Sequence, residues 1–217
     1  MQFLSIVDAY KIQKRLWQNS SDIVAWKLGG TNSFTRDLFS VKEPYFGFLT
    51  AACLVQSGMK PTNHLNNFEL EFCFKIPESY NPEKDYSLNN IMEWKRYFCL
   101  EFPYSAIDDL PSKGVSHLIA DNCAAGALFI SPIEIPKPYL SKYEMFICND
   151  KVLDGLDLNE DLYINIKQFL ELSKVHAFDV KGGQYIASGA ISNIYQLSNG
   201  DTTEVYVGKK LLLSYVH

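Results

Sequence analysis

The sequence of 217 residues lacks several features that would place it in a specialised class of protein. No stretch approaches the roughly 18 apolar residues of a transmembrane helix, and there is no internal repeat or low-complexity tract. The net charge is −5 and the pI is near 5.4, with Lys209-Lys210 as the densest basic point. Such a chain has no basic surface for nucleic acid or for an anionic membrane. We therefore expect neither as a partner.

Cysteine is sparse and scattered, with five residues and no C-x-x-C pair. This spacing argues against a zinc ribbon, and the odd number argues against a disulfide framework. We interpret the cysteines as reduced, mostly buried side chains. The N-terminal segment meets Asp8 and Lys11 too early for the apolar core of a secretory signal. We therefore expect a cytoplasmic location.

Aromatic residues, in contrast, are abundant at 14%, which favours strands and argues against disorder. The length fits one large domain over residues 1–217, with a helix within residues 1–20. We expect a mixed domain that is predominantly β. Periodicity and turn residues predict further helices at 33–39, 87–96 and 160–175, a turn at 43–47, a loop at 61–64, and strands at 23–28, 68–76, 97–102, 115–120, 127–135, 143–149, 184–188, 203–207 and 211–213.

The strand over residues 68–76 carries the most informative pattern, a Glu-x-Glu pair on its polar face. Glu69 and Glu71 stand roughly 7 Å apart on one face and repel each other unless a cation lies between them. Glu101 lies in another apolar stretch, where a charge is costly to bury unless it is paired or binds a metal. The three carboxylates indicate a site for Mg²⁺ or Mn²⁺. The alternative is the solvated face of an edge strand, on which Glu69 and Glu71 pair with lysines.

Six motifs in a fixed order give the chain a family resemblance that extends from residue 22 to residue 213. The set resembles the 2-keto-4-pentenoate hydratase and 4-oxalocrotonate decarboxylase family, within the fumarylacetoacetate hydrolase-like superfamily. The motifs are Trp26–Thr31, Pro44–Gly47, Phe68–Phe72, Leu100–Ser105, Ala120–Gly126 and Lys181–Ala190.

The resemblance implies an α+β fold that is predominantly β, the fumarylacetoacetate hydrolase-type mixed β-roll with flanking helices. It implies one Mg²⁺ or Mn²⁺ ion held by Glu69, Glu71 and Glu101. It also implies a small-molecule 2-oxo acid as substrate, which chelates the metal through its carboxylate and keto oxygens. The metal would then stabilise a developing enolate. A homo-oligomer, a dimer or higher, is expected as well.

Four further residues match positions of the family's site. Lys27 matches a lysine beside the metal, where we expect it to act in catalysis and to contact substrate; the alternative is a lysine that snorkels between apolar neighbours. Ser188 and Gly189 match a hydroxyl-and-glycine turn that binds the substrate carboxylate, although the same residues fit a plain strand end. Asn122 is expected to contact substrate, with a tight turn as the alternative.

The chain also departs from the family pattern in ways that bear on the reaction. The stretch 48–53, where the hydratases usually carry an acid, contains no carboxylic acid and has Ala51, and Ala124 replaces the usual serine. Hydration must move protons to and from carbon, so the proton-transfer residue is left unassigned. Residues 28–37 contain no histidine, whereas the C–C hydrolases of the superfamily carry one on a lid.

The leading hypothesis from sequence is a divalent-metal-dependent lyase, hydratase or decarboxylase, that acts on a 2-oxo acid through a metal-stabilised enolate. Decarboxylation fits the missing acid because it needs only a later protonation, which water can supply. Two alternatives stay open. One is a diverged member with altered or lost chemistry, in a ligand-binding or biosynthetic-cluster role, and the other is an acylpyruvate-type C–C hydrolase.

Overall fold

The computed structural model describes residues 4–59, 65, 67–136, 146–147, 151–152, 161–196 and 200–217. The helices within this part of the chain are α1 (Ile6–Gln18), α2 (Ser33–Phe39), α3 (Leu88–Met92), α4 (Leu110–Lys113), α5 (Val115–Ala120) and α6 (Asp161–Val175). The strands are β1 (Ile23–Gly29), β2 (Tyr45–Thr50), β3 (Asn67–Lys75), β4 (Lys95–Phe102), β5 (Ala127–Glu134), β6 (Phe146–Ile147), β7 (Lys151–Val152), β8 (Tyr185–Ala190), β9 (Tyr195–Gln196), β10 (Thr202–Val207) and β11 (Lys210–Val216).

One mixed sheet organises the molecule, with the strand order β2-β1-β8-β3-β4-β5 and β9 paired to β3. β1 and β8 are parallel, and the other neighbours are antiparallel. β10 and β11 form a separate hairpin, and β6 pairs with β7. β3 therefore lies in the interior of the sheet, with a partner on each side.

The two edges of this sheet meet, so that the sheet forms a closed roll. The chain leaving β2 pairs with β5 through a bridge between Leu54 and Leu128. The amide of Val55 donates to the carbonyl of Leu128 at 3.0 Å. Closure gives the sheet an inner and an outer face, since side chains alternate between the two faces along each strand.

Large aromatic side chains cover the outer face, whereas smaller side chains fill the middle of the interior. On the outside, Trp26, Phe46 and Phe169 pack with ring centroids 5.2–5.8 Å apart, and Phe169 comes from α6. The middle of the interior is a separate buried cluster of Ala25, Leu49, Cys73, Cys99, Leu128 and Ala187. A closed sheet leaves little space inside, so residues of this size fill the middle while the ends of the roll stay accessible for polar groups.

The fold expected from the family resemblance is confirmed, as are the helix over 33–39 and the strand around the Glu-x-Glu pair. Two local expectations were wrong. The turn predicted at 43–47 is the start of β2, because residues from Tyr45 onward pair with β1. The strand predicted at 115–120 is helix α5, because its buried residues Leu118 and Ile119 are consecutive rather than alternating. A short apolar run does not distinguish a strand from a buried helix.

Some expectations concern residues outside the described part of the chain. The loop predicted at 61–64 lies entirely outside it, and of the strand predicted at 143–149 only Phe146–Ile147 is described, as β6. Among the described helices, none has both the length and the apolar character required to cross a membrane. The division of the chain into one domain stays a prediction.

Candidate metal centre

The three glutamates predicted from sequence meet at one end of the roll. Glu69 and Glu71 point inward from β3, and Glu101 points inward from β4, where its Cα pairs with that of Glu69. One carboxylate oxygen of each residue lies within 4.8 Å of the others. Glu71 and Glu101 are fully buried, and Glu69 is partly exposed. The alternative of a solvated edge strand is therefore wrong, because β3 is interior and two of the carboxylates are inaccessible.

Most of the buried carboxylate oxygens lack hydrogen bonds. The amide of Gly189 donates to Glu71 Oε2 at 2.9 Å. Within the described residues, Glu71 Oε1 and both oxygens of Glu101 accept no hydrogen bond. Buried polar atoms in folded proteins are nearly always hydrogen-bonded, and an unpaired buried charge is especially costly. These orphaned oxygens therefore indicate a positively charged ligand.

The pKa values of the three carboxyl groups are displaced upward. Burial is the main cause for all three, and mutual repulsion adds to it at Glu71 and Glu101. Lys27 opposes both effects, and the pKa of Glu101 comes to about 7. Near neutral pH, protons therefore compete with a cation for the carboxylates at this end of the roll.

Lys27 is the one described residue that places a positive charge among these inward-facing carboxylates. Its Nζ lies 3.5 Å from Glu101 Oε1, which makes an ion pair rather than a short hydrogen bond, and donates to the carbonyl of Cys123 at 3.0 Å. Burial lowers the pKa of Lys27, but the charges of the three glutamates outweigh burial and raise it. Lys27 is thus a buried cation in the site. The snorkelling alternative is wrong, because its Nζ turns into the roll.

Ser188 and Gly189 form a β-bulge that turns an amide into the site. Between Glu71 and Cys73 of β3, the pairing with β8 shifts so that these two residues lie opposite Phe72 alone. Gly189 has φ of +89°, which permits the bulge, and its N–H points to Glu71. The Ser188 hydroxyl accepts from the amide of Phe72 at 3.2 Å and donates to the carbonyl of Gly189. It stabilises the bulge, and its contact with substrate stays a prediction.

Asn122 lies close to the site, but its side chain is bonded to the backbone of β2. Its Oδ1 accepts from the amide of Phe48 at 3.0 Å, and its Nδ2 donates to the carbonyl of the same residue at 2.9 Å. These are the contacts of a residue that holds a loop on a strand. The role of Asn122 in substrate binding stays a prediction.

A cleft of about 1700 Å³ is lined by Lys27 and by Glu69, the partly exposed glutamate, and sequence reasoning missed several other groups that line it. Tyr45 lines this cleft from the inner face of β2, and burial raises the pKa of its hydroxyl, which therefore keeps its proton. Helix α2 forms one wall. Arg36 fastens it by donating to the carbonyl of Gly30 at 2.9 Å and to Asn165 Oδ1 at 2.8 Å.

Comparison with solved structures places this architecture among known folds. The 4-oxalocrotonate decarboxylase of Pseudomonas putida G7, complexed with magnesium and adipate, matches with a TM-score of 0.75 and 17% identity over 98% of this chain and 86% of that one. Fumarylpyruvate hydrolase from Pseudomonas aeruginosa, in complex with Mn²⁺ and pyruvate, matches with a TM-score of 0.60 and 12% identity over 90% of this chain and 89% of that one. Yeast ynq8, a fumarylacetoacetate hydrolase family protein, gives 0.56 and 12% over 95% and 94%.

The chain has the fumarylacetoacetate hydrolase-like fold. The resemblance seen in the sequence motifs is confirmed at the level of the fold. A scan against protein-family models found no match, and a search of curated proteins found no significant one. At sequence identities of 12–17%, the structural similarity establishes the fold only, and the reaction has to be argued from the residues of the site.

The residues present fit a divalent cation. Three carboxylates form an all-oxygen donor set, which is what Mg²⁺, Mn²⁺ and Ca²⁺ prefer. Their mutual separation within 4.8 Å suits a shared ion, because ligands on opposite sides of Mg²⁺ or Ca²⁺ lie roughly 4–5 Å apart. Glu71 Oε1 and both oxygens of Glu101 accept no hydrogen bond within the described residues, so they can act as ligand atoms beside the Lys27 ammonium.

Proposed function

We propose that the protein is a divalent-metal-dependent lyase that acts on a 2-oxo acid, with Mg²⁺ or Mn²⁺ held by Glu69, Glu71 and Glu101. The observation that carries the proposal is the charge of the site. Three carboxylates against the single ammonium of Lys27 leave an excess of two negative charges when all are ionised. A divalent cation compensates that excess, and no other described group that faces inward here does so.

A cation bound to these carboxylates would supply Lewis-acid polarisation of a keto oxygen. The protein's own groups would do the rest. Lys27, buried and positively charged, would neutralise the substrate carboxylate or the negative charge that develops beside it. The hydroxyl of Tyr45 lines the same cleft and could donate a proton to carbon. The roll and helix α2 would exclude water from one side.

The ligands named in two neighbouring structures support this substrate class. The decarboxylase was solved with magnesium and adipate, and the hydrolase with Mn²⁺ and pyruvate. Both pair a divalent metal with a carboxylic acid. We favour decarboxylation over C–C hydrolysis, because no histidine lies among the described residues that line the cleft. A hydrolase would need such a base to activate water.

The first test is a calorimetric titration of metal-free protein with Mn²⁺, followed by titration of the loaded protein with oxalate. We expect one Mn²⁺ per chain and oxalate binding only when Mn²⁺ is present. Glu101→Gln should weaken Mn²⁺ binding by at least about 100-fold, because it removes a charged ligand. Glu83→Gln, at an exposed position on the surface, is the matched control and should bind like the wild type.

The outcomes separate the candidate functions. Absence of Mn²⁺ binding, or equal affinity in Glu101→Gln, would overturn the metal site. If the site binds both ligands, a panel of 2-oxo acids assayed for CO₂ release and for hydration decides the reaction. Turnover of a simple acylpyruvate instead would assign a C–C hydrolase. Oxalate binding without turnover of any acid in the panel would assign a ligand-binding role.

A further inference from the structure

Gln13 on helix α1 is a buried polar residue that the proposed chemistry does not use. It is fully buried, and its Nε2 donates to the carbonyl of Phe46 at 2.7 Å and to Asn122 Oδ1 at 3.3 Å. It thereby joins α1 to two separate parts of the chain, strand β2 and the loop Asn122–Ala124. Both lie beside the candidate metal centre.

The other half of the Gln13 amide is unsatisfied. Its Oε1 is buried and accepts no hydrogen bond within the described residues. An unpaired buried oxygen destabilises a fold, and an apolar side chain of similar volume would avoid that loss. Stability alone therefore does not explain a glutamine here. The explanation lies in what its Nε2 holds in place.

The loop that Gln13 contacts is strained. Asn122, Cys123 and Ala124 have φ values of +54°, +57° and +53°, three consecutive non-glycine residues in the left-handed region. Only Asn adopts that region readily, so the loop keeps this shape because its surroundings impose it. The two hydrogen bonds between Asn122 and Phe48 provide part of that support, and Gln13 provides another contact from the helix side.

The strained loop presents a carbonyl to the site. Cys123 O accepts a hydrogen bond from Lys27 Nζ at 3.0 Å, whereas Glu101 Oε1 lies 3.5 Å from Lys27 Nζ. The loop also sits directly on β2, since a Cβ added at Gly47 would lie 2.2 Å from the carbonyl oxygen of Asn122. The position of the Lys27 ammonium therefore depends on how the loop Asn122–Ala124 packs against β2.

We propose that Gln13 is a positioning residue: it clamps the loop Asn122–Ala124 against β2, so that the Cys123 carbonyl holds the Lys27 ammonium where it faces the carboxylate of a bound 2-oxo acid. The inference rests on the proposed function for the identity of that ligand. Gln13 itself touches neither metal ligands nor substrate. Its effect should thus be seen in anion binding and not in metal binding.

The test measures two affinities on the full-length protein carrying Gln13→Met, which keeps the length of the side chain and removes its donor. Mn²⁺ affinity should change by less than about twofold, because the ligands lie on β3 and β4. Oxalate affinity of the Mn²⁺-loaded protein should fall roughly tenfold, comparable with losing one hydrogen bond to a charged group. Gly47→Ala, which displaces the same loop from the opposite side, should give the same pattern.

The matched control is Gln184→Met. Gln184 is also a buried glutamine, and it bonds Trp26 Nε1, the carbonyl of Ile23 and the amide of Lys181, away from the loop. The Gln184→Met substitution should lower the melting temperature of the protein without reducing the oxalate affinity of its Mn²⁺-loaded form. A double-mutant cycle with Lys27→Met then tests whether Gln13 acts through Lys27. Once Lys27 is absent, Gln13→Met should have no further effect on oxalate binding.

Four results would overturn the inference. The first is an oxalate affinity of Gln13→Met equal to that of the wild type. The second is an effect of Gln13→Met that persists in the Lys27→Met background, which would remove the link to Lys27. Loss of Mn²⁺ and oxalate binding together would assign Gln13 to stability. Failure of the wild type itself to bind oxalate in the presence of Mn²⁺ would overturn the proposed function, and this inference with it.

Discussion

The two ends of the inner face of β3 differ in whether their charged side chains are buried or reach the surface. Glu69 and Glu71 point into the roll at one end, and Glu71 is fully buried with an oxygen that lacks a partner among the described residues. Cys73 and Lys75 continue the same face. Cys73 is buried, and Lys75 reaches the surface, where its Nζ lies 3.4 Å from the carboxylate of Glu78. Among the described residues, only the end at Glu69 and Glu71 buries more negative than positive charge, and that end is the candidate site.

The neighbouring strand β8 explains how the two ends differ in structure. Beside Cys73 and Lys75 its pairing with β3 is regular, with Ala187 and Tyr185 opposite them. Beside Glu71 the pairing is interrupted by the bulge, and the freed amide of Gly189 bonds to the carboxylate. The inner face of the sheet is therefore closely packed at Cys73 and polar at Glu71, two residues away.

The largest expected effect is the increase in the free energy of unfolding on Mn²⁺ binding, which should depend on Glu71 and not on Cys73. At a Mn²⁺ concentration of 100 times Kd, the free energy of unfolding of the wild type should rise by about 2.7 kcal/mol. Glu71→Gln should show no rise, and its metal-free form should be more stable than metal-free wild type at pH 8, because a buried uncompensated charge is gone. Urea unfolding with and without Mn²⁺ measures both. A less stable metal-free Glu71→Gln would show that the carboxylate is already satisfied.

A smaller effect is expected from pH. The pKa of Glu101 is raised to about 7, and that of Glu71 is raised too, so protons compete with the metal in neutral and acidic solution. Mn²⁺ affinity should rise as pH increases from 6 through 7, by up to about tenfold per unit for each proton displaced. The metal-free protein should lose stability over the same range, because the native state binds more protons than the unfolded state.

Calorimetry in buffers of different ionisation enthalpy counts the protons released on Mn²⁺ binding. We expect a release of about one proton or more at pH 6.5 and less at pH 8.5. Lys75 serves as the internal comparison, since Lys75→Met should leave the number unchanged. An affinity that is flat between pH 6 and pH 8 would contradict the raised pKa values.

The smallest expected effect lies in the packed middle of the roll. Cys73→Ala removes one buried atom from a tight cluster and should lower the free energy of unfolding by about 1 kcal/mol. Mn²⁺ and oxalate affinities should not change, because Cys73 lies beyond Glu71 in the packed middle of the same face and is not one of the proposed ligands. Denaturation and titration of the same sample measure both. A loss of metal affinity would show that the two ends of β3 are coupled.

Much of the site could be predicted because its signal is local. A Glu-x-Glu pair in an alternating apolar strand places both carboxylates on one face, whatever the rest of the fold does. Glu101 was found because a charge in an apolar run needs a partner. Lys27 was found only through the family motif, since a lysine between apolar residues is equally consistent with a snorkelling side chain. Homo-oligomer formation and the single domain stay predictions.

Other parts could not be predicted because they depend on residues distant in sequence. The contact between Gln13 and the loop at Asn122 spans 109 positions, and nothing in the helical pattern of α1 marks Gln13 as buried. The expected turn at 43–47 and strand at 115–120 were wrong because short apolar segments take the structure that their neighbours impose.

Side-chain alternation and ligand chemistry are local properties, so the strand, the face on which its carboxylates lie and the type of ion that they suit could be predicted from the residues of one short segment. The tertiary structure decided that β3 is interior rather than an edge, that the sheet closes at Leu54 and Leu128, and that a strained loop holds Lys27. These depend on which strands pair and where the chain returns, and pairing energies are set by contacts between distant segments. Closure buries the carboxylates, and burial turns a polar strand face into a candidate metal centre.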